Sequence, residues 1–209
     1  MSVTLILLII TVGISFLAFN EPTYFYKLQH HPFTEVREKQ YYRWLSSGFV
    51  HADYMHLGVN MFVFYQFGGI VEQYYTTVFD DTTGRVLYLV LYLGAVIAGA
   101  LPTYFKHQNN EAYAAVGASG GVAGVMFAFA LFLPTSQILL YGIIPLYSVI
   151  WAVLYLIYEQ WAGRRGQDNI GHDAHFYGAI FGLIATAIMI PRSIPHFISE
   201  IQELMSKWF

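Results

Sequence analysis

The 209-residue chain contains no cysteine, which excludes disulfides and thiolate zinc sites. Charge is scarce as well. Asp, Glu, Lys and Arg make up 11% of the residues, against about 25% in soluble domains. Mean hydropathy is +0.49, and 56% of residues are hydrophobic. These values exclude an ordinary soluble domain and point to a membrane protein. Net charge is −3 with no block of like charges, so nothing suggests a nucleic-acid partner or an acidic or basic tail. No H-E-x-x-H occurs, and no second domain or internal repeat is visible. The apolar stretch 2–19 lacks both a positive n-region and an A-x-A-like cleavage site. It reads as a retained transmembrane helix.

What is present is a series of apolar stretches near the length, about 20 residues, that crosses a bilayer as a helix. Six qualify: 2–19, 54–75, 86–105, 115–133, 137–158 and 172–190. They are separated by "TTVFDDTTGR", "KHQNNEAY", "PTS" and "EQWAGRRGQDNIG". Segment 20–53 is long, aromatic and mixed in charge, and reads as an ordered element lying partly in the membrane interface. The expected architecture is an all-α membrane protein of six transmembrane helices with a long interfacial first loop. Its membrane domain covers 1–191, and an amphipathic tail follows at 192–209. Lys27, Arg37, Lys39, Arg43, Lys106, Arg164 and Arg165 would share one side, against Arg85, Arg192 and Lys207 on the other. That count puts the first side in the cytoplasm. Glu21, Glu35 and Glu38 lie on the same side, however, and orientation stays open.

Polar residues inside such stretches are costly and are functional candidates. His56 and Asn60 are four apart in "HADYMHLGVN", one turn apart on a helix face, with His51 toward the loop. In "GASGG" Ser119 stands at the mouth of a helix between Gly117 and Gly120, where unpaired N–H groups meet incoming negative charge. In "GHDAHFYGAIFGLIA" His172 and Asp173 are placed to cap the helix and face water. His175 lies a turn inside, and Gly178 and Gly182 leave a smooth face. Helix packing explains each group by itself. Together they supply a nucleophile, a base and oxyanion donors, a complete set for peptide hydrolysis.

With these residues in place the chain resembles the rhomboid family of intramembrane serine proteases. The resemblance rests on His56-x-x-x-Asn60, on Gly117-x-Ser119-Gly120, and on His175-x-x-Gly178-x-x-x-Gly182, in that order. "YRW" at 42–44 and "GGIVE" at 68–72 add to it. It implies a supporting role for Arg43 in the first loop and a structural role for Glu72. Two positions depart from the pattern. Tyr42 stands where the loop tryptophan is common. Ala123 replaces an aromatic that in some members packs beneath the catalytic histidine, with Tyr177 and Phe127 as candidate substitutes.

The expected mechanism follows. Ser119 Oγ attacks the scissile carbonyl and His175 acts as general base, then acid. No carboxylate is well placed to orient His175, so a dyad is expected rather than a triad. The Ser119 N–H, His56 and Asn60 hold the oxyanion, and His51 holds His56 or lines a water path. No cofactor and no metal is expected. The substrates would be single-pass transmembrane proteins in the lipid bilayer, reaching the site sideways past the fifth helix, which Pro145 interrupts. The expected location is a bacterial inner or cell membrane, in multi-pass form. Three other readings are weighed. A catalytically silent client-binding relative would lack Ser119 or His175. A proton-coupled transporter would show buried carboxylates or broken helices in a repeat. A metal hydrolase would need an acidic ligand beside His51, His56 and His175.

Overall fold

A computed structural model describes residues 2–140, 143–165 and 171–207. Helix α1 (Val3–Asn20) starts at Ser2, whose Oγ accepts the Leu5 N–H. Segment 20–53 is a chain of short elements rather than a structureless loop. It holds α2 (Pro22–Leu28), α3 (Pro32–Glu38), α4 (Arg43–Ser46) and a 3-10 turn at Ser47–Phe49. Proline opens both α2 and α3, where its fixed φ and missing N–H suit the first helical position. Asp53 then caps α5 (Tyr54–Val78) and Asp80 caps α6 (Asp81–His107). Helix α7 (Ser119–Phe132) is followed by an antiparallel hairpin, β1 (Gln137–Leu140) with β2 (Ile144–Tyr147). Helices α8 (Ser148–Arg165), α9 (His172–Met189) and α10 (Ser193–Ser206) complete the described chain.

The structure corrects the expectation of a six-transmembrane-helix bundle. Among the described residues, α1 and α6 alone are individually long and apolar enough to cross a membrane. A third span is reached if α9 and α10 count as one, and these are bent by 108° at their junction. The reasons differ from helix to helix. Helix α7 is apolar but has 14 residues, about 21 Å against a hydrocarbon core of about 30 Å. Helix α5 is long, but His56, Asn60, Gln66, Glu72 and Gln73 dilute it. Helix α8 carries Glu159, Arg164 and Arg165, and α9 opens with His172, Asp173 and His175. The fifth expected stretch, 137–158, is in its first part the hairpin. Pro145 sits in β2 opposite Leu139 and does not kink a helix. Residues 141–142 of that stretch, 166–170 of the following separator and 208–209 of the tail lie outside the described residues. The charge asymmetry drawn across six spans loses its basis with them.

One carboxylate ties the start of α1 to α5. The buried Glu72 of α5 accepts the N–H groups of Val3 (2.8 Å) and Thr4 (2.9 Å) and the hydroxyls of Ser2 (2.6 Å) and Thr4 (2.8 Å). Arg85 donates to it from α6 at 2.6 Å. A negative charge at a helix N-terminus meets unpaired N–H groups and the positive end of the dipole.

Helix α7 forms the centre. It is buried along nearly its whole length, with α5, α6, α8, α9 and α10 around it. Its tightest neighbour is α9, where no side chain separates the two backbones. A Cβ added to Gly178 would lie 2.2 Å from the Gly120 carbonyl oxygen, and one added to Gly182 would lie 2.1 Å from that of Gly124. Small residues permit this approach, and packing rather than hydrophobic exclusion holds helices together in lipid. Gly182→Ala is therefore expected to push α9 from α7 and cost about 1–3 kcal/mol, read as a lowered unfolding midpoint in detergent.

Candidate functional site

The chain reaches Ser119 through an extended segment that the first loop grips. His30 and Ala115 exchange two backbone hydrogen bonds of 2.9 Å, and the Gly117 N–H donates to the Ser47 carbonyl at 3.0 Å. The Ala118 N–H donates to His51 Nε2 at 3.2 Å. The gripping residues are themselves braced. Buried Arg43 donates to the carbonyls of Tyr26 (2.8 Å) and Gln29 (2.9 Å) and to Gln40 Oε1 (2.7 Å). His30 joins Glu35 at 2.7 Å and Thr103 at 2.9 Å, and Trp44 Nε1 donates to the other Glu35 oxygen at 2.9 Å. Arg43 thus acts on the site through loop backbone, at a distance.

His51 is fully buried, and its hydrogen bonds fix its tautomer. Ser15 Oγ donates its one proton to the Phe49 carbonyl at 3.0 Å, so it accepts from His51 Nδ1–H, also at 3.0 Å. That leaves Nε2 as the acceptor for Ala118. Burial pushes the His51 imidazole down to about 3, the nearby His56 adds to this, and Asp53 opposes it. His51 is therefore neutral at ordinary pH and is a strut for the segment before Ser119. Its ring meets that of His56 edge-on, with centroids 4.9 Å apart.

Gly117 adopts φ +128°, a backbone that only glycine takes without strain. A Cβ there would also lie 2.8 Å from His56 Nε2 and 3.7 Å from Ser119 Oγ, so these two side chains converge beside Gly117. Ser119 is the first residue of α7, where its N–H has no partner within the helix. Asn60 is buried one turn beyond His56, and its Nδ2 donates to the His56 carbonyl at 2.9 Å. That nitrogen carries a second N–H.

His175 lies in the first turn of α9, one turn before Gly178. The Gly120–Gly178 contact therefore brings its turn against the N-terminus of α7. The Ala174 carbonyl oxygen is 3.2 Å from a Cβ built on Gly120. Ser119, His56 and His175 are all half-buried, at the rim of the bundle rather than in its dry core.

Three expectations are corrected here. His172 does not face water. It is buried, and its Nδ1 donates to Glu159 Oε2 at 2.5 Å. A carboxylate does reach His175, since Glu159 Oε1 accepts from His175 Nδ1 at 3.1 Å. The ring beside His175 is Tyr155, nearly parallel to it with centroids 6.5 Å apart. Tyr177 is exposed, and Phe127 packs against Tyr155 instead. In the sequence Glu159 opens the separator that follows the fifth stretch, which places it at a helix end. The helix runs on to Arg165 and holds the acid within it, and an ionisable residue inside an apolar helix was the available signal. Asp173 pairs with Lys106 at 2.8 Å. The ligating atoms of Glu159, His172 and His175 lie within 4.8 Å of one another, and this is the one set with metal-ligand chemistry among the described residues.

Fold and site together define a multi-pass, helix-rich membrane protein with a polar cluster at the mouth of a buried helix. Comparison with known proteins narrows this class. Residues 38–192 match the Rhomboid domain. The chain is 27% identical over 158 residues to the Rhomboid protease GlpG of Haemophilus influenzae, covering 75% of this chain and 74% of that one. It is 28% identical over 148 residues to Rhomboid protein 1, mitochondrial, of Saccharomyces cerevisiae, covering 67% of this chain and 39% of that protein. To Presenilin-associated rhomboid-like protein A, mitochondrial, of Danio rerio it is 30% identical over 143 residues, covering 66% of this chain and 34% of that protein. It thus spans well under half the length of the two mitochondrial relatives. The chain belongs to the rhomboid family.

The His51 environment sets a pH dependence. In the unfolded chain this residue takes up a proton near the ordinary histidine value, while the folded protein resists protonation until about 3. The unfolded state binds more protons between these values, so the contribution is complete above the unfolded pKa and is lost as pH falls. The thermal midpoint of the purified protein is expected to drop from about pH 7 to about pH 4, and to drop less in His51→Gln.

Proposed function

We propose that the chain is an intramembrane serine endopeptidase that hydrolyses peptide bonds in or near transmembrane segments of other membrane proteins. The observation that carries this reading is the backbone contact at Gly120 and Gly178, which sets the turn holding His175 beside the turn holding Ser119. Membership of the rhomboid family, and likeness to a relative named as a protease, support it.

In this reading Ser119 Oγ attacks the scissile carbonyl carbon and passes its proton to His175 Nε2. The carbonyl oxygen, now negative, is held by the Ser119 N–H, by His56 and by the second N–H of Asn60. The tetrahedral intermediate collapses as the C–N bond breaks, and His175 gives the proton to the leaving amine. Water then attacks the acyl-enzyme with His175 again as base, releasing the acid and restoring the serine. Gly117 gives His56 room, and His51 holds the segment that sets the Ser119 N–H.

One observation favours a second reading. Two histidines and a glutamate form a ligand set used by zinc hydrolases, and Glu159 supplies the acidic member. The two readings separate in one assay on the purified chain with a tagged transmembrane model substrate. Ser119→Ala and His175→Ala are expected to abolish cleavage, and His56→Ala and Asn60→Ala each to lower kcat by about 10²–10³-fold. A chelator is expected to leave the rate unchanged. Cleavage by Ser119→Ala equal to wild type discards the serine mechanism, and loss of activity with chelator favours the metal.

A further inference from the structure

We propose that Glu159 is the positioning residue for His175, holding its ring from α8 so that Nε2 is the free nitrogen. This rests on the reading of His175 as the base for Ser119.

The carboxylate of Glu159 is buried between two imidazoles, and each oxygen has its own histidine. Oε2 takes His172 Nδ1 at 2.5 Å and Oε1 takes His175 Nδ1 at 3.1 Å. An ionised carboxylate only accepts, so both rings carry a proton at Nδ1. For His175 this fixes the tautomer. Nδ1–H faces α8, and the unprotonated Nε2 lies on the other side of the ring, away from Glu159. A base needs that arrangement, because the nitrogen that takes the serine proton must have its lone pair free.

The supporting contacts share one helix. Tyr155 stands four residues before Glu159 on α8, one turn away on the same face, and its ring lies nearly parallel to His175. Ring and carboxylate thus meet the imidazole from one side. The approach of α8 depends on small residues. Ala123 on α7, Ala179 on α9 and Ala152 on α8 form a buried cluster against which Tyr155 packs. His172 completes the arrangement by engaging the second oxygen. A buried carboxylate oxygen that loses such a partner typically costs about 1–3 kcal/mol or more.

A purely structural ion pair would use the same atoms, so the test reads more than activity. In the full chain with a transmembrane model substrate, Glu159→Ala is expected to lower kcat by about tenfold or more with KM changed by less than about twofold. Glu159→Gln, whose amide oxygen still accepts Nδ1–H, is expected to recover most of that loss. A Glu159→Ala kcat within about twofold of wild type, or a Gln variant no better than Ala, overturns the proposal. The second measurement needs no variant at Glu159. The ¹⁵N shifts of labelled histidine in the wild-type chain, with His175 assigned by its loss in His175→Ala, are expected to show the Nδ1–H tautomer. An Nε2–H tautomer overturns the proposal even if Glu159→Ala fails to fold. If the wild type cleaves nothing, the protease reading falls, while the ¹⁵N shifts still decide whether Glu159 sets the His175 ring.

Discussion

Two helix backbones in direct contact determine where everything else goes. At Gly120 and Gly178, and again at Gly124 and Gly182, α7 and α9 touch without an intervening side chain. A side chain at Gly178 or Gly182 would clash with the facing backbone unless the helices moved apart. On α7 the contact begins at the second residue, and on α9 it begins one turn after His175, so it lies next to the first turn of each. Those first turns hold Ser119 and His175. The remainder of the bundle serves this junction. Helix α6 backs it through Gly99, whose Cβ position is 2.8 Å from the Ala174 carbonyl oxygen, and α5 supplies His56 and Asn60 alongside.

Polar side chains in this fold work chiefly by satisfying backbone at the ends of elements. Glu72 closes the start of α1, Asp53 and Asp80 close the starts of α5 and α6, and Arg43 takes up two carbonyls of the first loop. His51 does the same for the Ala118 N–H. Where water is excluded, such groups have no other partner to turn to, and an unsatisfied one is costly. The 20–53 segment is therefore part of the site's frame, because four of its hydrogen bonds hold the chain that leads into Ser119.

Much of the site was legible because its residues recur at helical spacing next to glycine. His56 and Asn60 share a face of α5, and Gly117, Ser119 and Gly120 mark the mouth of α7, as the spacing suggests. The count of spans was not legible. The polar groups that build the candidate site dilute the apolar character of the helices carrying them, while α7 is too short to cross a hydrocarbon core by itself. The hairpin was hidden for a different reason. A continuous run of Ile, Leu and Tyr fits a buried helix as well as a strand, and Pro145 suits a short two-stranded edge as well as a helix kink. Glu159 could be seen in the sequence, but its partners lie thirteen and sixteen residues on, in a helix that folds back beside it. No local pattern reports such a pairing. The same holds for Ser15 and His51, joined across thirty-six residues.

The serine and the histidine are held by different parts of the molecule. Ser119 stands on the most enclosed helix, anchored by loop hydrogen bonds, while the groups that touch the His175 side chain, Glu159 and Tyr155, belong to α8 at the periphery. Helix α8 has exposed Ile150, Val153, Leu154, Ile157 and Trp161 along its outer face. A shift of that helix would act on the imidazole through two direct neighbours, and on the hydroxyl only through the packing of α7. The outer surface of α8 is thereby coupled more directly to His175 than to Ser119.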